Sequence, residues 1–316
     1  MAVATEKRMQ NVQDGIVELK SWMDDLYRTG IGNIPSQGAI FFSDIIAKMI
    51  DAQAPGLAAI LRKMAANDYQ DNNSLEKLLR SLTQLKLLLA CFDQREEISE
   101  NLLMDVRHSI GWYSNKQDVL KSDGTRDNWL CIWRTLERTD DNIVTEKLWF
   151  YGLNTKQFGV LFNFFIGFQK PIITIKEGML IDASVCYYAS ALPLRFLIKE
   201  EYSRKSCYQE VESTVKDLNS YSAYVIDRLQ QIPFVEHHPV VFNNVKLVYA
   251  KHNKSYFLCD TKNNLLPILN KKEDLLPLIF NTCGDEVSIF GLGQKGAIDI
   301  KSYWDGAKIQ IINDKE

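Results

Sequence analysis

The chain has 316 residues, of which 46% are hydrophobic and 24% are charged, and its formal net charge is -3. This composition is ordinary for a globular protein and excludes a largely disordered chain. At roughly 150 residues per domain the length predicts about two domains. Neither part of the chain has the excess of Lys and Arg on which non-specific nucleic-acid binding depends.

Membrane-spanning and secreted proteins are not indicated either. The longest nearly uninterrupted apolar stretch, Phe158 to Phe168, is far shorter than the ~20 residues that cross a bilayer. The N-terminus lacks the apolar core of a signal peptide. The six cysteines are widely dispersed and lie mostly in apolar segments, as expected of buried, reduced thiols. We therefore expect a cytoplasmic protein without membrane segments.

The first third of the chain carries apolar residues at helical spacing. Steps of three and four predict a first helix that ends at Gly30, a second around 42–50 and a third that begins at Pro55. Ser74 is placed to cap a longer fourth helix, and a fifth is predicted before Gly111. Residues up to about 120 are thus predicted to form a helical bundle. The wide apolar face of the fourth helix consists of Leu75, Leu78, Leu79, Leu82, Leu85, Leu88, Leu89 and Phe92.

Beyond the turn signal Asp123-Gly124 the apolar period changes from 3.6 to 2, which predicts strands. Residues 208–232 return to helical spacing and predict one long helix. Short strands separated by turn residues then predict an antiparallel meander interrupted by a short helix at 273–281. The strands are predicted at 129–137, 144–152, 158–166, 172–176, 180–188, 245–250, 256–260, 265–269, 287–292, 297–304 and 308–312.

Together these elements predict an α+β protein, in which an N-terminal helical bundle is followed by a mainly antiparallel β-sheet region with one long helix and a C-terminal β-meander. The predicted domains are a helical domain at 1–122, a β-rich domain at 123–204, and a helix plus antiparallel meander at 205–316. In an alternative division, the last two pack as one domain.

No catalytic, cofactor-binding or metal-ligating residue is predicted from a motif. Gly291 to Gly296 spells G-x-G-x-x-G, but a strand follows it where a dinucleotide site needs a helix, so a hairpin turn explains the glycines. Zinc ligands usually come as close pairs, whereas the nearest cysteines are Cys186 and Cys207. The adjacent pair His237-His238 is predicted to point to opposite faces of an extended segment. Signatures of serine or cysteine nucleophiles are absent.

Several short phrases, in the same order, resemble the body of bacterial SWIM zinc-finger family proteins. The most specific is the run Asp-Ala-Gln-Ala-Pro-Gly-Leu-Ala at 51–58. The resemblance spans nearly the whole chain. The phrases are LKSWMDDL at 19–26, MIDAQAPGLA at 49–58, DVRHSIGW at 105–112, RDNW at 126–129 and LPLR at 192–195.

The resemblance places zinc outside this chain. In that family a C-x-C pair followed by C-x-H precedes the segment that is similar to residues 6–29. Neither pattern occurs here, so the family's zinc ligands map onto no residue of this chain, and we expect no cofactor in it. Zinc is expected only in a finger that was removed by truncation, is encoded separately or has been lost, and truncation is the interpretation that we favour.

Family members are regarded as binding DNA or protein through the finger, and they are often encoded beside AAA-type ATPases and proteins with von Willebrand A domains. The resemblance therefore implies a non-enzymatic interaction or scaffold body whose protein partner is an AAA-type ATPase or a von Willebrand A domain protein. One alternative is an enzyme of unrecognised type with a carboxylate-lined cleft, and another is a nucleic-acid-binding accessory module.

The candidate interaction residues come from the phrases that carry the resemblance, and each also has a structural interpretation. Residues at the start of the 51–58 run suit the satisfaction of free backbone groups between two helices. The tryptophan suits a hydrophobic core, and the arginine after Leu-Pro-Leu suits an ion pair. The candidates are Asp51, Gln53, Arg126, Trp129 and Arg195.

Overall fold

The computed structural model describes residues 2–34, 38–69, 74–138, 143–166, 174–207, 209–235, 237–252, 254–294, 296–306 and 308–312. The predicted α+β class is confirmed. The chain divides into two compact units. The first comprises Met1–Ser114, Ala189–Ala191 and Gln231–Phe234, and the second comprises Asn115–Tyr188, Leu192–Gln230 and Val235–Glu316. The three domain ranges derived from the sequence stay a prediction.

The first unit contains the five predicted helices, and their ends have local causes. Pro55 occupies the first turn of the third helix, where its missing N–H costs nothing. The Ser99 side chain caps the fifth helix by accepting the N–H of Leu102 at 3.3 Å, and Gly111 ends that helix with a φ of 114°. The helices are α1 Ala2–Thr29, α2 Ser43–Asp51, α3 Pro55–Ala65, α4 Ser74–Asp93 and α5 Glu100–Ile110, with 3-10 turns at Ile31–Asn33 and Gly38–Phe42.

Small residues allow α3 to approach α5 closely. A β-carbon on Gly56 would overlap the carbonyl oxygen of Ser109, and one on Gly111 would come within 2.7 Å of the Pro55 ring. The phrases at 49–58 and 105–112 are therefore the two sides of one helix contact. Tight packing accounts for their small residues.

The apolar face of α4 is narrower than predicted. Leu75 and Leu79, which the sequence assigns to this face, are exposed, because they lie beside the buried stripe rather than in it. Leu87 is exposed as well. The residues of α4 that do pack into the core of the first unit are Leu78, Leu82, Leu85, Leu88, Leu89 and Phe92.

The second unit begins with a short helix and a five-stranded antiparallel sheet of order β3-β2-β1-β4-β5. Its edge strands meet at an isolated bridge between Val160 and Arg195, so the sheet curls around its own apolar side chains. Trp129, Phe150 and Phe196 lie in that interior. The elements are α6 Lys116–Leu120, β1 Thr125–Arg138, β2 Ile143–Gly152, β3 Phe158–Ile166, β4 Met179–Tyr187 and β5 Phe196–Ser206.

Two details of this sheet differ from the prediction. Strand β5 was missed because most of its residues are charged or polar and exposed, so the strand has little apolar alternation to detect. A strand was predicted at 172–176, but residues 172 and 173 lie outside the described residues and 174–176 are not in a strand.

The second sheet has the order β11-β10-β9-β6-β7-β8. The short helix predicted at 273–281 is present at Lys272–Thr282. The strand order differs from a meander, because β9 pairs with β6 and not with the preceding strand β8. Ile268, which directly follows β8, forms an isolated bridge with Ile298 in β10. The end of β8 therefore lies beside β10. The elements are α7 Tyr221–Gln231, β6 His238–Ala250, β7 Ser255–Asp260, β8 Leu265–Pro267, α8 Lys272–Thr282, β9 Val287–Gln294, β10 Ala297–Asp305 and β11 Lys308–Ile311.

The long helix predicted at 208–232 is wrong over its first half. Only Tyr221–Gln231 is helical. Val211, Val215 and Leu218 are buried in a non-helical segment, where they fill the cores beside the sheets. Their helical spacing therefore arises from tertiary packing and not from a helix.

The two sheets of the second unit pack face to face through large aromatic residues. The rings of Trp149 and Phe290 are 5.9 Å apart between centroids, and Trp304 is buried in the same cluster. The hydroxyl of Ser302 in β10 donates to the carbonyl oxygen of Ile132 in β1 at 2.6 Å. This packing holds β2, β4 and the segment before α7 in fixed positions. Within the described ranges, no helix combines the length and the apolar composition needed to cross a membrane.

Candidate functional site

A cavity of about 590 Å³ opens in the second unit, within the usual size range for small-molecule sites. Its walls come from β2, the β2–β3 turn, the end of β4, Leu192–Leu194 before β5, Glu212–Thr214 and α7. The segment Leu192–Leu194 belongs to the last of the phrases that resemble the SWIM family. Three tyrosines and two basic side chains face the same space, namely Tyr151, Tyr187, Tyr224, Lys156 and Arg228.

Asp127 holds the β2–β3 turn that forms one wall. Its carboxylate accepts the backbone N–H groups of Asn154 and Thr155 at 3.1 and 2.7 Å and both of their side chains. Burial alone raises the pKa of Asp127, but these hydrogen bonds and that from Asn128 outweigh it, so its pKa is below its usual range. A β-carbon on Gly152 would collide with Thr155 and Asp127. Asp127 and Gly152 thereby fix the place of Lys156.

The tyrosines present ring faces and one hydroxyl to the cavity. The Tyr187 hydroxyl donates to the carbonyl oxygen of Phe158 at 2.9 Å, and that of Tyr224 donates to the carbonyl oxygen of Pro239 at 2.6 Å. The hydroxyl of Tyr151 has no hydrogen-bond partner within the described ranges, although the residue is buried. Burial raises the pKa of all three phenols, so they are neutral at pH 7.

The positive charge of Arg228 is only partly compensated by hydrogen-bond acceptors and negative charges of the protein. It lies one turn after Tyr224 on α7, with its guanidinium carbon 5.4 Å from the centre of the Tyr224 ring. Its Nε and Nη2 atoms are buried without a hydrogen-bond partner, and none of the described carboxylates forms an ion pair with it. Burial and the charges of Arg228 and His237 lower the pKa of His238 to about 4, so His238 is neutral at pH 7.

Lys156 and Glu212 mark the outer rim. Their Nζ and Oε2 atoms are 3.1 Å apart, and both side chains are well exposed. Such an exposed ion pair contributes little to stability. Glu212 is the one carboxylate among the described residues that line the cavity, and after burial its charge and that of Asp127 also raise the pKa of Tyr151.

Asp51 and Gln53, the candidates of the first unit, are exposed at the α2–α3 junction. The backbone N–H groups of residues 52, 53 and 54 are bonded to the carbonyl oxygens of Lys48, Ile50 and Met49. Main-chain hydrogen bonds thus satisfy the backbone groups for which the sequence suggests Asp51 or Gln53 as capping residues. Gln53 has a φ of 59°, which makes the sharp turn between the helices.

Arg126 and Trp129 lie in β1 and Arg195 directly precedes β5. None of the three lines the cavity. Arg126 forms a bidentate ion pair with Asp182 at 2.8 and 3.0 Å. Trp129 is buried, and its indole N–H donates to the Ala183 carbonyl oxygen at 3.2 Å. These contacts give Arg126 and Trp129 structural roles, which are sufficient to explain why these residues occur at their positions. A binding role for them stays a prediction.

Arg195 follows the cavity wall directly in sequence. Its guanidinium carbon lies 4.5 Å from the centre of the Tyr188 ring and 5.4 Å from that of Phe162. Within the described ranges it forms no ion pair, so the structural interpretation offered for it becomes stacking on aromatic rings.

The carboxylates buried in the described part of the chain have protein partners. Glu146 accepts from Arg134 Nε at 2.7 Å and from Asn163 Nδ2 at 2.8 Å. Asp260 accepts three backbone N–H groups and the Asn264 side chain. In the described ranges no group of three or more His, Cys, Asp or Glu residues is arranged to hold a metal ion. The six cysteines are free thiols.

The sequence did not single out the residues of the cavity. Tyr151 and Tyr187 lie in strands that the sequence predicts, but nothing in the sequence distinguishes them from the other aromatic residues of those strands. Tyr224 and Arg228 are four positions apart, which is one helical turn. The spacing places both side chains on one face of the predicted helix, but it does not indicate that this face lines a cavity.

Residues 7–110 match the family model described as the SWIM-associated four-helix bundle domain. This match confirms the resemblance to SWIM proteins over the helical third of the chain. Searches of curated proteins and of solved structures found no significant match.

Proposed function

We propose that this chain, whose residues 7–110 carry a SWIM-associated four-helix bundle domain, is a non-enzymatic interaction body that binds a protein partner within a larger assembly. By family resemblance the partner is an AAA-type ATPase or a protein with a von Willebrand A domain, and the chain acts in the cytoplasm. The observation that carries the proposal is a row of exposed leucines on α4.

This leucine row consists of Leu75, Leu79 and Leu87, whose exposed fractions are 38%, 48% and 39%. With Thr83 they are spaced four residues apart, so they form one of the ridges by which helices pack into grooves. The neighbouring stripe of α4 already fills the core of the first unit. An apolar ridge on the outer side of a helix is a surface suited to a protein partner.

An enzyme with a carboxylate-lined cleft has less support. General acid or base catalysis needs a carboxylate within reach of a substrate. Asp127, Glu146 and Asp260 are occupied by turns and an ion pair, and Glu212 at the cavity rim is bound to Lys156. For a nucleic-acid-binding module, the balanced charge of the chain offers no comparable support.

The test is affinity purification of the tagged chain from its native cells. The double variant Leu75→Glu/Leu79→Glu places two charges on the leucine row, and Leu265→Glu is the matched control, since Leu265 is 57% exposed and lies in the second unit. We expect the same partner to co-purify with the wild type and the control but not with the double variant. Equal recovery with all three chains would refute the proposed surface.

A further inference from the structure

We propose that the cavity in the second unit binds a small anionic molecule, with a carboxylate or phosphate group at Arg228 and a flat apolar body among the tyrosines. The proposal is independent of the protein-binding surface on α4. It rests on the charge, the burial and the hydrogen-bonding state of the groups that form the walls.

The first argument is the state of the Arg228 guanidinium. Its Nε and Nη2 atoms are buried and have no protein acceptor, which is costly for polar atoms, and the side chain that the guanidinium does contact, Tyr224, is a neutral phenol. Arg228 also lines the cavity, so an anion there is attracted by a charge that is poorly compensated. Guanidinium groups bind carboxylate and phosphate with strong, charge-assisted hydrogen bonds.

The second argument is the distribution of charge around the cavity. Lys156 adds a second cation at the rim, and Glu212 is paired with it. Of the three charged side chains among the described wall residues, Arg228 is the one without an opposite charge as partner, so the net positive charge of the walls favours a negative ligand over a positive one.

The third argument is the aromatic wall. Tyr151, Tyr187 and Tyr224 surround the space with ring surface, and two of their hydroxyls are already bonded to the main chain. The Tyr151 hydroxyl is left to bind a ligand. Ligand sites typically combine apolar and aromatic walls with a few convergent polar groups, and a volume of about 590 Å³ accommodates a ring with its anionic group.

The experiment is calorimetric titration of the full chain with four probes. Phenyl phosphate and benzoate carry a ring and an anion, and their comparison distinguishes phosphate from carboxylate. Phenol carries only the ring, and inorganic phosphate carries only the anion. We expect saturable binding of at least one ring-bearing anion, and binding of phenol and of inorganic phosphate that is weaker by about tenfold or more.

Variants locate the site. We expect Arg228→Gln to weaken binding of the anionic probe by about tenfold or more, Arg228→Lys to retain part of the affinity, and Tyr151→Phe to weaken binding less than Arg228→Gln does. The control is Arg138→Gln, because Arg138 is exposed and outside the cavity walls, and we expect it to bind like the wild type.

Three results would overturn the proposal: no saturable binding of either ring-bearing anion, binding of phenol as tight as that of the anions, or unchanged affinity in Arg228→Gln. The Leu75→Glu/Leu79→Glu variant should bind the probes like the wild type. A failed ligand titration therefore leaves the partner-binding proposal standing. A failed purification likewise leaves the proposal of a ligand in the cavity standing.

Discussion

Gly56 in α3 lies directly against the carbonyl oxygen of Ser109 in α5, so that a β-carbon at position 56 would overlap that oxygen. Gly56→Ala should lower the free energy of unfolding by about 1–3 kcal/mol, because the helices must move apart. Urea unfolding followed by circular dichroism measures this. Gly32→Ala is the control, since nothing lies within 4 Å of its added methyl group, and its effect should stay within about 0.5 kcal/mol. Equal losses would contradict the close contact.

Neighbouring leucines of α4 should respond differently to truncation. Leu78 is fully buried and Leu79 is about half exposed. We expect Leu78→Ala to destabilise the chain by about 2–5 kcal/mol through the lost contacts and the cavity, and Leu79→Ala to cost less than about 1 kcal/mol. Thermal unfolding of the two variants checks this. A larger loss for Leu79→Ala would show that the leucine row is part of the core.

Asp127 should make the chain less stable in acid. Because its folded pKa is below its usual range, its contribution is complete above the ordinary aspartate pKa of about 4 and is lost as the pH falls through the folded value. Asp127→Asn should cost about 1–3 kcal/mol near neutral pH and should flatten the acid side of the stability profile. Asp285→Asn, at an exposed position, is the control. An unchanged slope in Asp127→Asn would contradict the role of the turn.

His238 should titrate far below an ordinary histidine. Burial and the charges of Arg228 and His237 lower its pKa to about 4, so its stabilising contribution is complete above about 6.5 and is lost as the pH falls from there toward 4. The ring protons of His238 in NMR spectra should report that midpoint. In Arg228→Gln the midpoint should move upward, because one positive charge is removed. A midpoint near 6.5 in the wild type would exclude this environment.

The helical half of the fold was readable from sequence because its elements are set locally. Pro55 and Gly111 mark helix ends through properties of single residues, and the apolar steps of three and four follow from one helix surface packing inward. The prediction was wrong where burial has another cause. Val211 and Val215 have helical spacing, yet they are buried in an irregular segment, and only the position of the sheets decides that.

The cavity could not have been predicted in the same way. Tyr151, Tyr187 and Arg228 come from three distant segments, and a single sequence contains no signal that they converge. The turn bound by Asp127 is another example, since Asp127 and Thr155 are 28 positions apart. By contrast, the phrases at 49–58 and 105–112 were recognised as related to SWIM proteins without any account of why they occur together. Their packing in one helix contact supplies that account.

The binding constant of the co-purified partner tests the central claim most directly. Once the partner is identified, its purified form can be titrated with the wild type, Leu75→Glu/Leu79→Glu and Leu265→Glu. The leucine row predicts that the double variant binds about a hundredfold more weakly, because interface energy is concentrated in a few apolar side chains, and that Leu265→Glu binds like the wild type. Equal dissociation constants for the three chains would contradict the claim.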